Sequence, residues 1–279
     1  MKILIIGKNG FIAKSLYELF LKNRDYQIYR TSKTDLDFLN KKEVNFFFNT
    51  NFFDILIFTP VYGGNRTIKD SNKIISFNIN MYKNMIFHRN KFKLIFYFGS
   101  GASFNRDFDI NNFDNNKLGL NIPKDPYGYS KYYIEKDLRN YQNVINLRIF
   151  NCFGINELNT RMIKGNIINY IDGKNIIVHQ DKYFDFIYID DLFKIILNII
   201  KGNIKKKEIN CVYKTKHRIS DIANIINNLS EKKVNIQILN NKIGNSYTGN
   251  YNYNYELNDF IGLEKGIKTI YEHILFNVK

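Results

Sequence analysis

Short runs rich in Ile and Phe, with little polar alternation, constrain this chain most: "KILIIG" (2–7), "YQIYRT" (26–31), "FDILIFTP" (53–60), "FKLIFYFGS" (92–100) and "VINLRIFN" (144–151). Helical patterns lie between them, around 12–22, near 42–48, near 73–89 and from about Tyr127. A strand that is apolar on both faces must be covered on both, and in alternation with helices this means a parallel sheet sandwiched by helices. The expected fold class is α/β, a doubly wound parallel sheet whose ligands sit at the carboxyl ends of its strands. A chain of 279 residues can hold one such domain and a smaller lobe.

After 151 the rhythm loosens. "TRMIKGNIINYIDG" has helical spacing, "NIIVHQ" is strand-like, and "FDFIYIDDLFKIILNII" reads as a strand turning into a helix that returns to the first domain. From about 204 short helices and polar loops mix, including the low-complexity "NSYTGNYNYNYELN". The expected division is a nucleotide domain of residues 1–152 and 183–203, and a discontinuous carboxyl-terminal substrate lobe of 153–182 and 204–279.

Gly7, Gly10 and Ala13 stand between the first strand and the first helix, in "IIGKNGFIA". Glycine lets a backbone turn tightly and approach a pyrophosphate, whose charge then faces the helix N-terminus. At the first strand–helix junction of a parallel pattern, this spacing points to a Rossmann-type dinucleotide site. An acid roughly 20 positions on would suit the ribose hydroxyl of NAD. That region reads "IYRTSKTD", where Arg30 ends the strand instead, and a guanidinium there suits the 2′-phosphate of NADP. NADP(H) is the preferred cofactor and NAD(H) the alternative.

A net charge of +15 would permit a nucleic-acid partner, but the lysines are scattered instead of gathered in one arm. The charge suits a nucleotide-linked substrate better. No apolar run reaches membrane-span length, and "MKILIIGKNGFIAKSL" reads as a first strand rather than a leader. Cys152 and Cys211 are too few for a disulfide framework, and with His88, His179, His217 and His273 they make no ligand-spaced set. The expectation is a cytoplasmic protein with no metal and no nucleic-acid or membrane partner.

"DPYGYSKYYIEK" (125–136) contains Tyr-x-x-x-Lys twice, as Tyr127 with Lys131 and as Tyr132 with Lys136. Either spacing stacks a phenol and an ammonium on one helix face. Five residues separate the tyrosines, so Tyr132 points about 140° away from Tyr127 and the two copies cannot serve one site.

The ordered set Gly7-x-x-Gly10-x-x-Ala13, Ser100 after the fourth strand and Tyr127-x-x-x-Lys131 resembles the extended short-chain dehydrogenase/reductases, the NAD-dependent epimerase/dehydratase family acting on nucleotide-sugars. "SFNINMYKNMI", "LRIFNCFG" and "FDFIYIDDL" carry the likeness along the chain, and "YRTSKTDLDFLN" with Gly63-Gly64 is most similar to the GDP-fucose synthase branch of 4-ketoreductases. The resemblance implies that Tyr127, not Tyr132, exchanges a proton with the sugar. Lys131, together with the positive charge of the oxidised nicotinamide, would lower its pKa, and Lys131 would also hold the nicotinamide ribose, while Ser100 bonds the reacting oxygen, with Ser103 in reserve. It implies cofactor contacts at Gly7, Asn9, Gly10, Phe11, Ile12, Arg30, Asp37, Phe38, Thr59, Pro60, Asn78, Tyr127 and Lys131. Substrate contacts would be Ser100, Gly101, Ala102, Asn151, Arg161 and Lys182, and a homodimer would form through the helix of Tyr127.

Within that family a 4,6-dehydratase carries an Asp-Glu pair after the serine or threonine, where this chain has Gly101-Ala102. The double epimerisation of GDP-fucose synthase uses a Cys and a His at the positions matching Ala102 and Arg161, and neither residue here is a carbon acid or base. The expected activity is NADPH-dependent reduction of the 4-keto group of a nucleotide-linked (deoxy)sugar for surface-polysaccharide synthesis. The alternatives are an NAD-dependent nucleotide-sugar 4-epimerase and a non-catalytic NADP-binding regulatory protein.

Overall fold

The computed structural model describes residues 1–64, 70–253 and 259–278. By their contacts these form two compact units, Met1–Asp107 with Asp114–Ile149 and Lys205–Asn210, and Phe108–Phe113 with Phe150–Ile204 and Cys211–Lys279.

The first unit alternates β1 (Lys2–Ile6), α1 (Phe11–Leu21), β2 (Gln27–Thr31), α2 (Lys41–Thr50), β3 (Ile55–Phe58), α3 (Lys73–Phe87) and β4 (Leu94–Ser100). After β5 (Ile110–Phe113), which belongs to the second unit, come α4 (Pro126–Leu138) and β6 (Val144–Ile149). The second unit continues with β7 (Cys152–Phe153), α5 (Met162–Ile171), β8 (Ile176–Gln180), β9 (Ile187–Tyr188) and α6 (Ile189–Ile200). The chain ends with β10 (Glu208–Cys211), α7 (Ile219–Asn227), β11 (Ile236–Asn240), β12 (Tyr247–Gly249) and α8 (Gly262–Val278).

Six strands form the central sheet in the order β10-β6-β4-β3-β1-β2. The pairings of β1 with β2 and β3, and of β4 with β3 and β6, are parallel. This is the doubly wound α/β fold that the apolar runs imply. β3 and all but the first residue of β4 are buried, as strands covered on both sides must be. On one sheet face Leu4, Leu56, Phe58, Ile95 and Tyr97 pack with Val44 and Phe48 of α2, Met81, Tyr82 and Met85 of α3, and Ile134 and Leu138 of α4.

Local chemistry sets where the helices begin. Asn40 caps α2 by accepting the Glu43 N–H, and Asp125 caps α4 by accepting the Gly128 N–H at 2.8 Å, with Pro126 opening the helix. Tyr127 is thereby the second residue of α4, which fixes the face on which the following side chains appear.

The second unit holds three two-stranded pairings, β5 with β12, β7 with β9 and β8 with β11. α6 buries Ile189, Leu192, Ile195, Ile196 and Ile199 along one stripe. Four segments group differently from the sequence reading, two of them being 108–113 and 150–152, which join the second unit. The 183–203 segment groups with the second unit, and β10, from the expected substrate lobe, completes the first unit's sheet. "EINC" is too short and too polar to announce a strand, and is held at the edge where the Asn146 N–H donates to the Lys207 carbonyl at 2.7 Å. Of the low-complexity stretch, β12 forms from its first part and residues 254–258 lie outside the described residues. Among the described residues no helix is long and apolar enough to cross a membrane.

Candidate functional site

The glycine loop joins β1 to α1 and is tied to the end of β2. The amides of Gly7 and Lys8 both donate to the Thr31 carbonyl at 2.9 Å, and the Gly10 amide donates to Gly7 O at 2.8 Å. Gly7 has φ +91°, and a Cβ there would lie 2.6 Å from Thr59 Oγ1, so only glycine fits. Gly10 caps α1 without a side-chain bond, and the first turn contains no acid. The positive end of α1 is therefore left for an external anion. Thr31 Oγ1 is buried with no hydrogen-bond partner among the described residues. A narrow glycine turn, an uncapped helix end and an orphaned hydroxyl beside them fit a dinucleotide pyrophosphate and ribose. Asn9 is exposed in this loop, while Phe11 and Ile12 are half-buried in the first turn.

Near the end of β2, the exposed Arg30 guanidinium stacks on the Tyr17 ring, 3.9 Å from its centroid. Lys33 Nζ donates to the Tyr62 hydroxyl at 2.9 Å. The expectation of no acid at this strand end needs correction in three dimensions. Asp35 Oδ2 turns back to accept from Ser32 N at 2.8 Å, Ser32 Oγ at 2.9 Å and Lys8 Nζ at 2.9 Å. These donors hold its carboxyl down at about 2. Asp35 comes four residues after the strand, and only the folded turn returns it to the glycine loop. Asp37 accepts the Leu39 N–H at 3.0 Å, and Phe38 is buried against Phe48 and Phe58. Thr59 Oγ1 donates to Ile6 O at 2.7 Å, with the half-buried Pro60 next to it. Asn78 clamps the loop after β3, accepting the Tyr62 N–H at 2.8 Å and donating to Tyr62 O and to Ser130 Oγ, each at 3.0 Å.

At the carboxyl end of β4 the Ser100 side chain acts on the Tyr127 phenol, favouring its charged form. Ser100 Oγ also accepts the Ala102 N–H at 3.2 Å, fixing the buried turn Gly101–Phe104. Ser103, the reserve candidate, is fully buried, and its hydroxyl donates to Ser100 O at 2.8 Å and to Glu135 Oε2 at 3.2 Å. It braces the loop. Gly64 comes close to the phenol, since a Cβ there would stand 3.0 Å from Tyr127 Cε2.

Lys131 is buried, and its Nζ donates to Phe98 O at 2.6 Å and to the Tyr97 hydroxyl at 3.2 Å. Its Nζ is 5.8 Å from the centroid of the Tyr127 ring. The protein groups by themselves do not produce the expected lowering of the Tyr127 pKa. Burial pushes the phenol up, opposed by the Ser100 hydrogen bond and the Arg106 charge and assisted by Glu135 and Asp125. Burial brings the Lys131 ammonium down to about 8 against the pull of Glu135.

Glu135, one turn beyond Lys131, was not singled out from the sequence. It is fully buried; Oε1 accepts the Ser100 N–H at 3.0 Å, and Oε2 takes Arg148 Nε at 2.8 Å and Nη2 at 2.6 Å. The i, i+4, i+8 spacing of Tyr127, Lys131 and Glu135 was the signal that could have found it. Tyr132 and Lys136 are elsewhere. Tyr132 packs by Gly119, its hydroxyl 3.5 Å from where a Gly119 Cβ would lie, and Lys136 is exposed.

In the second unit Arg161 Nη2 donates to Asn151 Oδ1 at 2.6 Å, bringing two of the expected substrate contacts together. Lys182 is placed over the Phe184 ring, 5.4 Å from its centroid. Glu157 is 5% exposed, its Oε1 has no hydrogen-bond partner among the described residues, and burial raises its carboxyl to about 8 against Arg161 and Lys164.

No curated protein matches the sequence significantly. Solved structures do match the fold. A UDP-glucuronic acid 4-epimerase from Bacillus cereus, in complex with UDP-glucuronic acid and NAD, is 20% identical with a TM-score of 0.76, covering 99% of this chain and 100% of that one. A GDP-mannoheptose C4 reductase from Campylobacter jejuni with NADP bound is 17% identical with a TM-score of 0.78, covering 98% of each chain. A GDP-L-fucose synthetase from Naegleria fowleri is 15% identical with a TM-score of 0.81, covering 99% and 93%. The family model for NAD dependent epimerases and dehydratases matches residues 3–211, a span that contains the glycine loop, Ser100, Tyr127 and Lys131. The chain belongs to the NAD-dependent epimerase/dehydratase family.

Proposed function

We propose that the protein reduces the 4-keto group of a nucleotide-linked (deoxy)sugar with NADPH, in the synthesis of surface-polysaccharide precursors. The observation that carries this reading is the buried Tyr127 phenol, held above its ordinary pKa by burial, with Ser100 acting on it. Such a phenol keeps its proton at neutral pH and serves as a donor. The nicotinamide supplies the hydride when bound. Tyr127 protonates the carbonyl oxygen, Ser100 orients that oxygen, and Lys131 keeps a positive charge near the phenol and holds the ribose. Ala102, a methyl side chain following the serine, offers no group to expel water or to invert a neighbouring carbon. Asn151 and Arg161 would receive the diphosphate of the substrate.

One observation favours the second reading, an NAD-dependent 4-epimerase: the Asp35 carboxylate at the end of β2, an acceptor suited to a ribose hydroxyl. The reductase reading also includes a homodimer through α4, on which Tyr129 and Tyr133 are exposed; sedimentation of the purified protein tests it. The activity is tested by incubation with NADPH and a panel of nucleotide-linked 4-keto sugars, following absorbance loss and product stereochemistry. Oxidation of NADPH with one of them supports the reductase. Interconversion of a nucleotide-sugar and its 4-epimer with no net cofactor consumption would replace it with the epimerase. Tight NADPH binding with neither reaction would favour a regulatory protein.

A further inference from the structure

Where the end of α4 meets β6 and β10, the first unit holds a cavity of about 330 Å³ whose apolar side is Leu138 and Val144. Asn146 stands in its wall at 1% exposure, and neither amide atom of its side chain has a hydrogen-bond partner among the described residues. A buried amide left unpaired is unfavourable, and a complementary ligand relieves it. The rest of the wall is charged. Arg139 pairs with Glu208 at 2.8 Å, while among the described residues the Lys207 ammonium is held by the Tyr141 carbonyl alone, at 3.4 Å. A positive charge is therefore left for an anion.

Two short paths join this cavity to the serine. Asn115, also in the wall, accepts Arg148 Nη1 at 2.7 Å, and Arg148 holds Glu135, which accepts the Ser100 N–H. Along the other path, Asn146 Oδ1 and Glu135 Oε1 meet over Gly99, where neither leaves room for a Cβ.

We propose that this cavity is a regulatory site for a nucleoside monophosphate, with Asn146 pairing the donor–acceptor edge of the base and Lys207 the phosphate. A side-chain amide presents donor and acceptor in one plane, the pattern that a base edge answers with two hydrogen bonds. The volume lies at the small end of ligand sites and suits a single nucleotide. Occupancy fixes the Asn146 amide and, through Gly99 and Glu135, the Ser100 backbone; the effect on turnover rests on the role given to Ser100 above.

The test is equilibrium dialysis of AMP, GMP, CMP and UMP against the full chain in excess NADPH, with inorganic phosphate as the control. At least one nucleotide should bind the wild type, and Lys207→Met and Asn146→Leu should each weaken it roughly tenfold, the weight of one charge-assisted bond or one bidentate base contact. Asn146→Leu removes an unpaired buried amide, so its melting temperature should not fall, and unaltered melting of both variants separates lost binding from misfolding. Bound nucleotide should also slow hydrogen exchange at the Ser100 amide; an unchanged rate would overturn the regulatory role. Binding that neither variant weakens would assign the nucleotide to the dinucleotide or substrate site, and phosphate binding as tightly as every nucleotide would leave an anion site only. Either result overturns the proposal, as does the absence of binding. None of these readouts depends on turnover, so a failed reductase assay leaves them standing.

Discussion

The Glu135 carboxylate accepts the Ser100 backbone N–H at 3.0 Å while pairing with the fully buried Arg148 at 2.6 Å. One side chain thus sets the position of the serine and neutralises a cation that has no access to water. Replacing Glu135 by Ala leaves the buried Arg148 with only the longer 3.4 Å pair to Glu208 and should cost about 3–5 kcal/mol in a denaturant titration. Glu135→Gln keeps an acceptor for the Ser100 N–H and should cost less. A double change to apolar residues, Glu135→Leu with Arg148→Met, should recover much of the loss, because the desolvation penalty is removed from both partners.

Tyr127→Phe should reduce turnover by about 10²–10⁴-fold, the usual weight of a positioned proton donor, with dinucleotide affinity little changed. Tyr132→Phe should leave turnover close to wild type, since its ring packs by Gly119. The reverse outcome would mean that the second Tyr-x-x-x-Lys pair is the working one.

Gly7→Ala introduces a Cβ at φ +91°, 2.6 Å from Thr59 Oγ1. The strain should cost roughly 1–3 kcal/mol of stability. Dinucleotide binding, measured by nucleotide fluorescence, should fall further than stability does, because the loop that faces the pyrophosphate must shift.

Lys131 carries its proton below about 8 in the ligand-free protein, where burial has brought it down from the ordinary lysine range. Its positive charge is present at neutral pH and is lost as pH rises through that value. The reductive kcat/KM should therefore decline above pH about 8. A flat profile to pH roughly 10, the ordinary lysine range, would contradict a role for the ammonium.

Glu157 should show its burial in stability. Its carboxyl is raised to about 8, so between the ordinary carboxylate range and that value the native state holds a proton that the unfolded chain releases. Stability is consequently lost as pH rises through this window. Glu157→Gln should melt above wild type at pH about 8, by an equivalent of roughly 2–4 kcal/mol, and the difference should close near pH 4. An equal difference at both pH values would assign the effect to packing.

The parallel sheet, the glycine loop and the first Tyr-x-x-x-Lys pair were legible in the residues because each depends on local order. Apolar runs declare burial, Gly7 and Gly10 declare a tight turn, and a spacing of four declares a shared helix face. Asp125 and Pro126 likewise announce where α4 begins, and with it the register of Tyr127 and Lys131. β10 escaped notice because an edge strand of four residues takes its stability from the neighbour it pairs with, not from its own sequence.

What depended on the fold was partnership. Nothing in the order of residues says that Lys131 bonds to Phe98 O, that Glu135 bridges Ser100 and Arg148, or that Asp35 turns back onto Lys8. The sign of the Tyr127 shift followed from the same source. A nearby lysine by itself predicts a more acidic phenol, but desolvation in the folded interior, with Glu135 and Asp125, outweighs Ser100 and Arg106 and keeps the phenol protonated. Residue identity prescribed the groups and their spacing along the helix. Burial and hydrogen bonds between distant segments, which exist only once the chain has closed on itself, decided their protonation and their roles.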